Sequence, residues 1–238
     1  MESLKDKYIL LAGATGGIGR ELARLLTGSG ARLFITGRKE ELLREVATEC
    51  RLSEDCLLAA DLTDINGVKA LKQAYEKVYP TVDILINLSG IGIIQSTENL
   101  EEADFMRTLQ VNLYAPYMLT RAFLPVMKEA KKGLIIHVPG VLGKVPMAGA
   151  AAYSASKYGL VGMMQSIREE VKRTEIRITN LFLGGVDSPF WDKIDLRVQR
   201  EKMIRADEAA RSIWFLCQQP SSGVISEMVL QPFNHQAI

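Results

Sequence analysis

Residues 7–19 read Lys7-Tyr8-Ile9-Leu10-Leu11-Ala12-Gly13-Ala14-Thr15-Gly16-Gly17-Ile18-Gly19. The apolar run Lys7–Ala12 has the length and composition of a short buried strand. It stops at glycine. The apolar residues that follow (Ile18, Leu22, Leu25 and Leu26) recur at helical spacing until Gly28 and Gly30 end the pattern. The order is strand, glycine turn, helix. Gly13, Gly17 and Gly19 form a G-x-x-x-G-x-G turn. Without Cβ atoms, such a turn lets backbone N–H groups close on a pyrophosphate, and the helix N-terminus behind it adds favourable partial charge. A tight turn with no ligand looks the same locally. The position at the head of a strand–helix series favours phosphate binding. Gly13, Thr15, Gly16, Gly17, Ile18 and Gly19 are therefore the candidate cradle.

Outward from this stretch the alternation continues. Arg32–Thr36 is predicted as a second strand, followed by Gly37-Arg38-Lys39 and a helix over Glu40–Cys50. An acid at the end of this strand would suit a ribose 2′-hydroxyl, whereas an Arg suits a 2′-phosphate. Here Gly37 takes the acid's place and Arg38 follows, so NADP(H) is expected in preference to NAD(H). Cys56–Ala60 is a third strand. Asp61, with Leu62 beside it, is placed to accept from an adenine amino group, and Asp61 and Thr63 are expected to cap the helix Asp64–Val78. Val82–Leu88 is nearly continuously apolar, as a parallel strand buried on both faces should be. It leads into Asn87, Ser89 and Gly90. Glu98–Ala130 is read as one long helix with Asn112 inside it, where a short amide competes with the backbone and needs a bend or a polar task to justify it.

Leu134–Val138 is a fifth strand, ending at Pro139-Gly140 and a loop to Gly149. A helix then carries Tyr153-Ser154-Ala155-Ser156-Lys157. Positions four apart share a helix face, so a phenol and an ammonium stand together, and the charge is expected to bring the phenol closer to neutrality. Arg177–Leu183 is a sixth strand, running into Gly184, Val186 and Ser188. Phe190–Met203 mixes aromatic and charged residues in the manner of a cover. Ala206–Cys217 is a helix capped by Asp207 or its neighbours, and Glu227–Leu230 is a last strand before a polar tail to Ile238. About seven strands alternating with helices predict an α/β fold. It is a Rossmann-like doubly wound parallel sheet with helices on both faces, in one domain over residues 1–238. Ligands of such sheets bind outside the strand carboxyl ends, where every feature flagged above falls.

Composition narrows the function. The 238 residues carry a formal net charge of +1, which gives no field to attract nucleic acid or an anionic membrane. No apolar run reaches the roughly 18 residues needed to span a bilayer. The three cysteines, Cys50, Cys56 and Cys217, are scattered and suit reduced thiols in a cytoplasmic protein. With two His and no acidic-His cluster, no metal site is expected.

Taken together, the glycine turn at 13–19, Asn87-Leu88-Ser89-Gly90, Asn112, Tyr153-x-x-x-Lys157 and the 184–188 segment resemble the short-chain dehydrogenase/reductase family in order and spacing, over essentially the whole chain. The resemblance implies an NAD(P)(H)-dependent oxidoreductase that interconverts a small-molecule carbonyl and an alcohol. Tyr153 is then the acid/base, Lys157 lowers its pKa and holds the nicotinamide ribose, and Asn112 anchors a relay water. The cofactor set it implies is Gly13, Thr15, Gly16, Gly17, Ile18, Gly19, Arg38, Asp61, Leu62, Asn87, Ser89, Gly90, Tyr153, Lys157, Gly184, Val186 and Ser188. Substrate walls are expected at Gly140, Val141, Met147, Phe190 and Trp191, with Ile91 and Ile93 nearby. A homodimer or homotetramer through the long helices is the family's usual assembly. One departure stands out. The family's Ser, thirteen residues before the tyrosine, is Gly140 here, and loss of such a donor can cost on the order of 100-fold in rate. Ser154 and Ser156 lie about 100° and 300° around the helix from Tyr153, so neither is an obvious substitute. The departure supports an alternative: a cofactor-binding scaffold or regulator with impaired turnover.

Overall fold

The computed structural model describes residues 1–194 and 196–234. The strands are β1 (Tyr8–Ala12), β2 (Arg32–Gly37), β3 (Leu57–Ala59), β4 (Ile84–Asn87), β5 (Lys132–His137), β6 (Glu175–Leu183), β7 (Val186–Asp187), β8 (Ile204–Arg205) and β9 (Glu227–Leu230). The helices are α1 (Gly17–Gly28), α2 (Glu40–Glu49), α3 (Ile65–Val78), α4 (Glu102–Leu109), α5 (Ala115–Glu129), α6 (Ala151–Val171) and α7 (Ala206–Cys217). Among the described residues, seven strands form one parallel sheet in the order β3-β2-β1-β4-β5-β6-β9. β7 and β8 pair by themselves.

Alternation along each strand divides the core in two. Ile9, Leu11, Ile35, Ile86 and Ile136 pack with Leu22 and Leu26 of α1 and Ile213 of α7. Leu10, Phe34, Leu85 and Ile135 pack with Leu71 and Tyr75 of α3, Phe123 of α5 and Met164 of α6. Helices on both faces explain why the strands read as unbroken apolar runs. Each fully buried Leu, Ile or Phe contributes about 1.5–3 kcal/mol. The chain leaves β1 toward β2 and β3, then crosses back to place β4 on β1's other side. The reversal opens a crevice at the carboxyl ends of β1 and β4, the usual ligand position of a doubly wound sheet.

Two expectations need correction. The helix read over Glu98–Ala130 is two helices joined by a π-helical turn, Gln110–Tyr114, which holds Asn112. α3 is capped by Asp64, whose carboxylate accepts from Asn66 N at 3.0 Å; Asp61 and Thr63 lie outside the helix. At α7 the capping bond comes from a neighbour of Asp207, as expected: the backbone N–H of Arg205 donates to Glu208 (3.1 Å), while Asp207 pairs with Arg205 and Arg211. The β7–β8 pair was not foreseen. The polar tail is described as far as Asn234.

Candidate active site

The glycine turn is dictated by backbone crowding. Gly13 has φ +83°, and a Cβ there would lie 2.8 Å from the carbonyl carbon of Leu88. A Cβ on Gly19 would strike the carbonyl oxygen of Gly13. β1, the turn and the β4 end are thus locked together with no side chain between them. Gly16 stands at the α1 N-cap with no side-chain cap, and no acidic residue occupies the first turn. Gly13, Gly16, Gly17, Ile18 and Gly19 help to line a cleft of about 770 Å³.

A second cleft of about 210 Å³ joins the first through Gly13, Gly16, Leu88 and Gly90. Thr15, Arg38, Asp61, Leu62 and Ser89 line it. A Cβ on Gly37 would come within 3.3 Å of the Thr15 hydroxyl, so Thr15 fills the room that a longer residue at the β2 end would need. Asp61 accepts from Thr63 N (2.9 Å) and from its hydroxyl (2.7 Å). These hydrogen bonds, with the Arg38 guanidinium nearby, hold its carboxyl below the usual carboxylate range.

Asn112, Tyr153 and Lys157 converge at the carboxyl end of β4. Asn112 is fully buried. It accepts from Ile91 N (2.8 Å), donates to Ile91 O (2.9 Å) and donates to Ser156 Oγ (3.2 Å). The amide that strains an α-helix thus finds its polar task in the π turn. A Cβ on Gly90 would meet Asn112 Oδ1 at 3.3 Å and Lys157 Nζ at 3.7 Å, so only glycine fits between them comfortably. Lys157 is 5% exposed, and its ammonium donates to Val138 O at 3.1 Å. It lies 5.4 Å from the centroid of the Tyr153 ring. Burial pulls the Lys157 pKa down to about 8 and pushes the Tyr153 phenol above its ordinary value. The expected lowering of the phenol by the lysine is therefore not found. The ammonium is itself desolvated and lies against the ring face, where it does little for an oxyanion.

Asn87 does not line either cleft. Its Oδ1 accepts from Ser89 N (3.0 Å) and Ser89 Oγ (2.5 Å), which leaves Nδ2 to donate toward His137 Nδ1 (3.5 Å). With Nδ1 accepting, the Nε2–H of His137 donates to Thr120 Oγ1 at 3.1 Å. A one-way chain thus runs from the Ser89 turn into the core. It requires neutral His137, and burial with the nearby Lys157 charge holds the imidazole down to about 3.

Gly140 is not simply a serine without its hydroxyl. Its φ is +72° and ψ 170°, a region that is essentially glycine's alone. Neither helix serine replaces the hydroxyl. Ser156 Oγ is bound to Tyr153 O at 2.7 Å, and Ser154 lies outside the residues lining the cleft. Val141 and Met147, with Leu142 and Ile94, line the main cleft; Ile91 and Ile93 do not. Gly184, Val186 and Ser188 line it too, and the cover contributes Phe190 and Trp191. The cover passes close over Gly17, where a Cβ would meet Ser188 Cβ at 3.1 Å and Pro189 Cδ at 3.2 Å.

A family profile described as short chain dehydrogenase matches residues 7–199. The chain belongs to that family. It is 31% identical over 238 residues to a sepiapterin reductase of Chlorobaculum tepidum, covering 95% of this chain and 96% of the relative. A metagenomic short-chain oxidoreductase solved in complex with NADP is 32% identical, with a TM-score of 0.84 over 97% of this chain and 99% of that one. A variant of actinorhodin polyketide ketoreductase solved with NADPH is 26% identical, with a TM-score of 0.85 over 98% of each chain. The Rossmann-like parallel sheet expected from sequence is the fold of this family member.

His137 and Thr120 escaped the sequence reading. His137 ends an apolar strand, and its place beside Asn87 is fixed only by the β4–β5 register. Leu142, Ile94 and Met203 were also missed as cleft walls, because single apolar residues in loops carry no periodic signal.

Proposed function

We propose that this chain is an NADP(H)-dependent oxidoreductase that reduces a small-molecule carbonyl to an alcohol, with Tyr153 as proton donor. The observation that carries the reading is the meeting of Asn112 and Lys157 at Gly90, with the Lys157 ammonium over the ring of Tyr153, which lines the same cleft as the glycine turn. The residues present fit a dinucleotide. Cβ-free Gly13 and Gly19 and the uncapped α1 terminus suit a pyrophosphate, and the two clefts are continuous. Gly37 and the exposed Arg38 suit a 2′-phosphate over a bare ribose, and two similar solved proteins were crystallised with NADP or NADPH. When bound, the cofactor supplies the hydride to the carbonyl carbon and is itself oxidised. The Tyr153 phenol gives its proton to the carbonyl oxygen. Burial holds the phenol above its ordinary value, and the neutral phenol is the form a proton donor needs. Lys157 holds a ribose and presents a positive charge behind the phenol. Asn112 fixes the Ile91 backbone and can hold a water behind Lys157.

Gly140 supports the second reading, a cofactor-binding protein with little turnover. Steady-state oxidation of NADPH against a panel of ketones and quinones separates the two. The enzyme reading expects turnover at least 100-fold above Tyr153→Phe, a rough size for general acid catalysis. Turnover no higher than in that variant, with NADPH still bound, favours the second reading. Arg38→Ala should weaken NADPH much more than NADH, and equal losses would refute the cofactor preference.

A further inference from the structure

Gly92 is the seat of the cover. A Cβ there would run into Cζ of Phe190 and lie 2.8 Å from Cδ1 of Ile194. The Phe190 ring therefore rests directly on the Gly92 backbone. Its other side meets Tyr153, with ring centroids 6.1 Å apart and planes at 61°. The ring fills the flank of the phenol that faces Gly92.

Phe190 is fixed there from behind. Trp191 packs edge-on against it at 5.4 Å and donates its indole N–H to Val186 O at 2.9 Å. Arg200 ties down the start of the cover, bonding Asp187 (2.5 Å), Asp192 (2.8 Å) and the Ser188 carbonyl (3.0 Å). Val141, Leu142 and the exposed Met147 are further apolar walls of the same cleft. Lys202 is the one charged side chain among the described residues lining the main cleft.

We propose that Phe190, seated on Gly92, is the specificity-determining side chain of the cleft. It admits a neutral ketone with one small substituent on the Phe190 side and one flat apolar or aromatic body on the Val141–Met147 side. The proposal rests on Tyr153 being the proton donor, which places the carbonyl between the two flanks.

The test compares acetophenone with butyrophenone, which adds two methylenes on the small side. Each methylene forced into a filled pocket is worth roughly 10-fold or more in kcat/KM. The native protein should therefore prefer acetophenone by at least about 10-fold, and Phe190→Ala should bring the two ketones within about threefold. Gly92→Ala, which drives Phe190 toward Tyr153, should lower kcat/KM for both. A binding arm in the Tyr153→Phe background removes the chemistry. There, quenching of Trp191 emission, absent in a Trp191→Phe control, reports Kd for each ketone with and without Phe190→Ala. If the Kd ratio relaxes with Phe190→Ala while the native protein turns over neither ketone, the wall stands and the reductase reading falls. An unchanged ratio in Phe190→Ala, or no quenching by either ketone at millimolar concentration, overturns the proposal.

Discussion

Restoring the family's hydroxyl at position 140 should fail, and the reason lies in one backbone angle. Compared by sequence, Gly140→Ser returns a donor worth on the order of 100-fold in rate. The structure gives Gly140 φ +72° and ψ 170°. There is room for a side chain: the nearest atom a Cβ would meet is Leu183 O at 3.4 Å. The cost is conformational, about 1–3 kcal/mol for an L-residue held in this region. For a chain of this size that is roughly 2–4 °C in Tm per kcal/mol. Gly140→Ala carries the same strain without the hydroxyl, so the pair isolates the donor. Both variants should melt lower than the native protein by thermal denaturation. Their kcat values should agree within a few-fold, because the segment that would aim the serine has taken a glycine-only path. A Gly140→Ser protein with native Tm and turnover about 10-fold above Gly140→Ala would refute this reasoning, since 10-fold corresponds to about 1.4 kcal/mol of donor stabilisation gained without strain.

Two further predictions concern buried charge. Lys157 has its pKa lowered from 10.5 to about 8, so between those values the unfolded chain binds a proton that the folded chain has released, and stability rises with pH. Relative to Lys157→Met, the native protein should gain about 3 kcal/mol across that window, read from urea unfolding at several pH values; a flat difference would sink the argument. His137 has its pKa lowered from 6.5 to about 3, so its contribution to stability is whole above pH 6.5 and is lost toward pH 3. Native stability should fall by about 1.4 kcal/mol per pH unit through that range on this account alone, and His137→Leu should remove that slope whatever its offset at pH 7.

Much of this was legible because it is local. The run Tyr8–Gly19 carries strand, turn and helix start in one stretch. Asn112 announced itself by conflicting with the helix around it, although its answer, a π turn with both amide groups bound to Ile91, needed the fold. Tyr153 and Lys157 were visible as a pair, but their burial was not, so the direction of the phenol shift was misjudged. β7 and β8 are two residues each and pair Val186 with Ile204, a match with no periodic signal. The positive φ at Gly140 was invisible for another reason. Glycine there is compatible with any φ, and only the path between β5 and α6 selects the positive one.

The cover joins the two halves of the site through glycines distant in sequence. At one end Ser188 and Pro189 rest on Gly17, in the glycine turn. At the other, Phe190 and Ile194 rest on Gly92, beside the loop that holds Asn112 through Ile91. Between these contacts the segment has little slack, because Trp191 is bonded to Val186 and Arg200 to Asp187, the Ser188 carbonyl and Asp192. A segment so fastened cannot lift from one glycine without straining its hold on the other. The position of the Phe190 ring beside Tyr153 therefore depends on the fit at Gly17 as well as at Gly92. The cleft's shape at the phenol is set partly from the end where a pyrophosphate would lie.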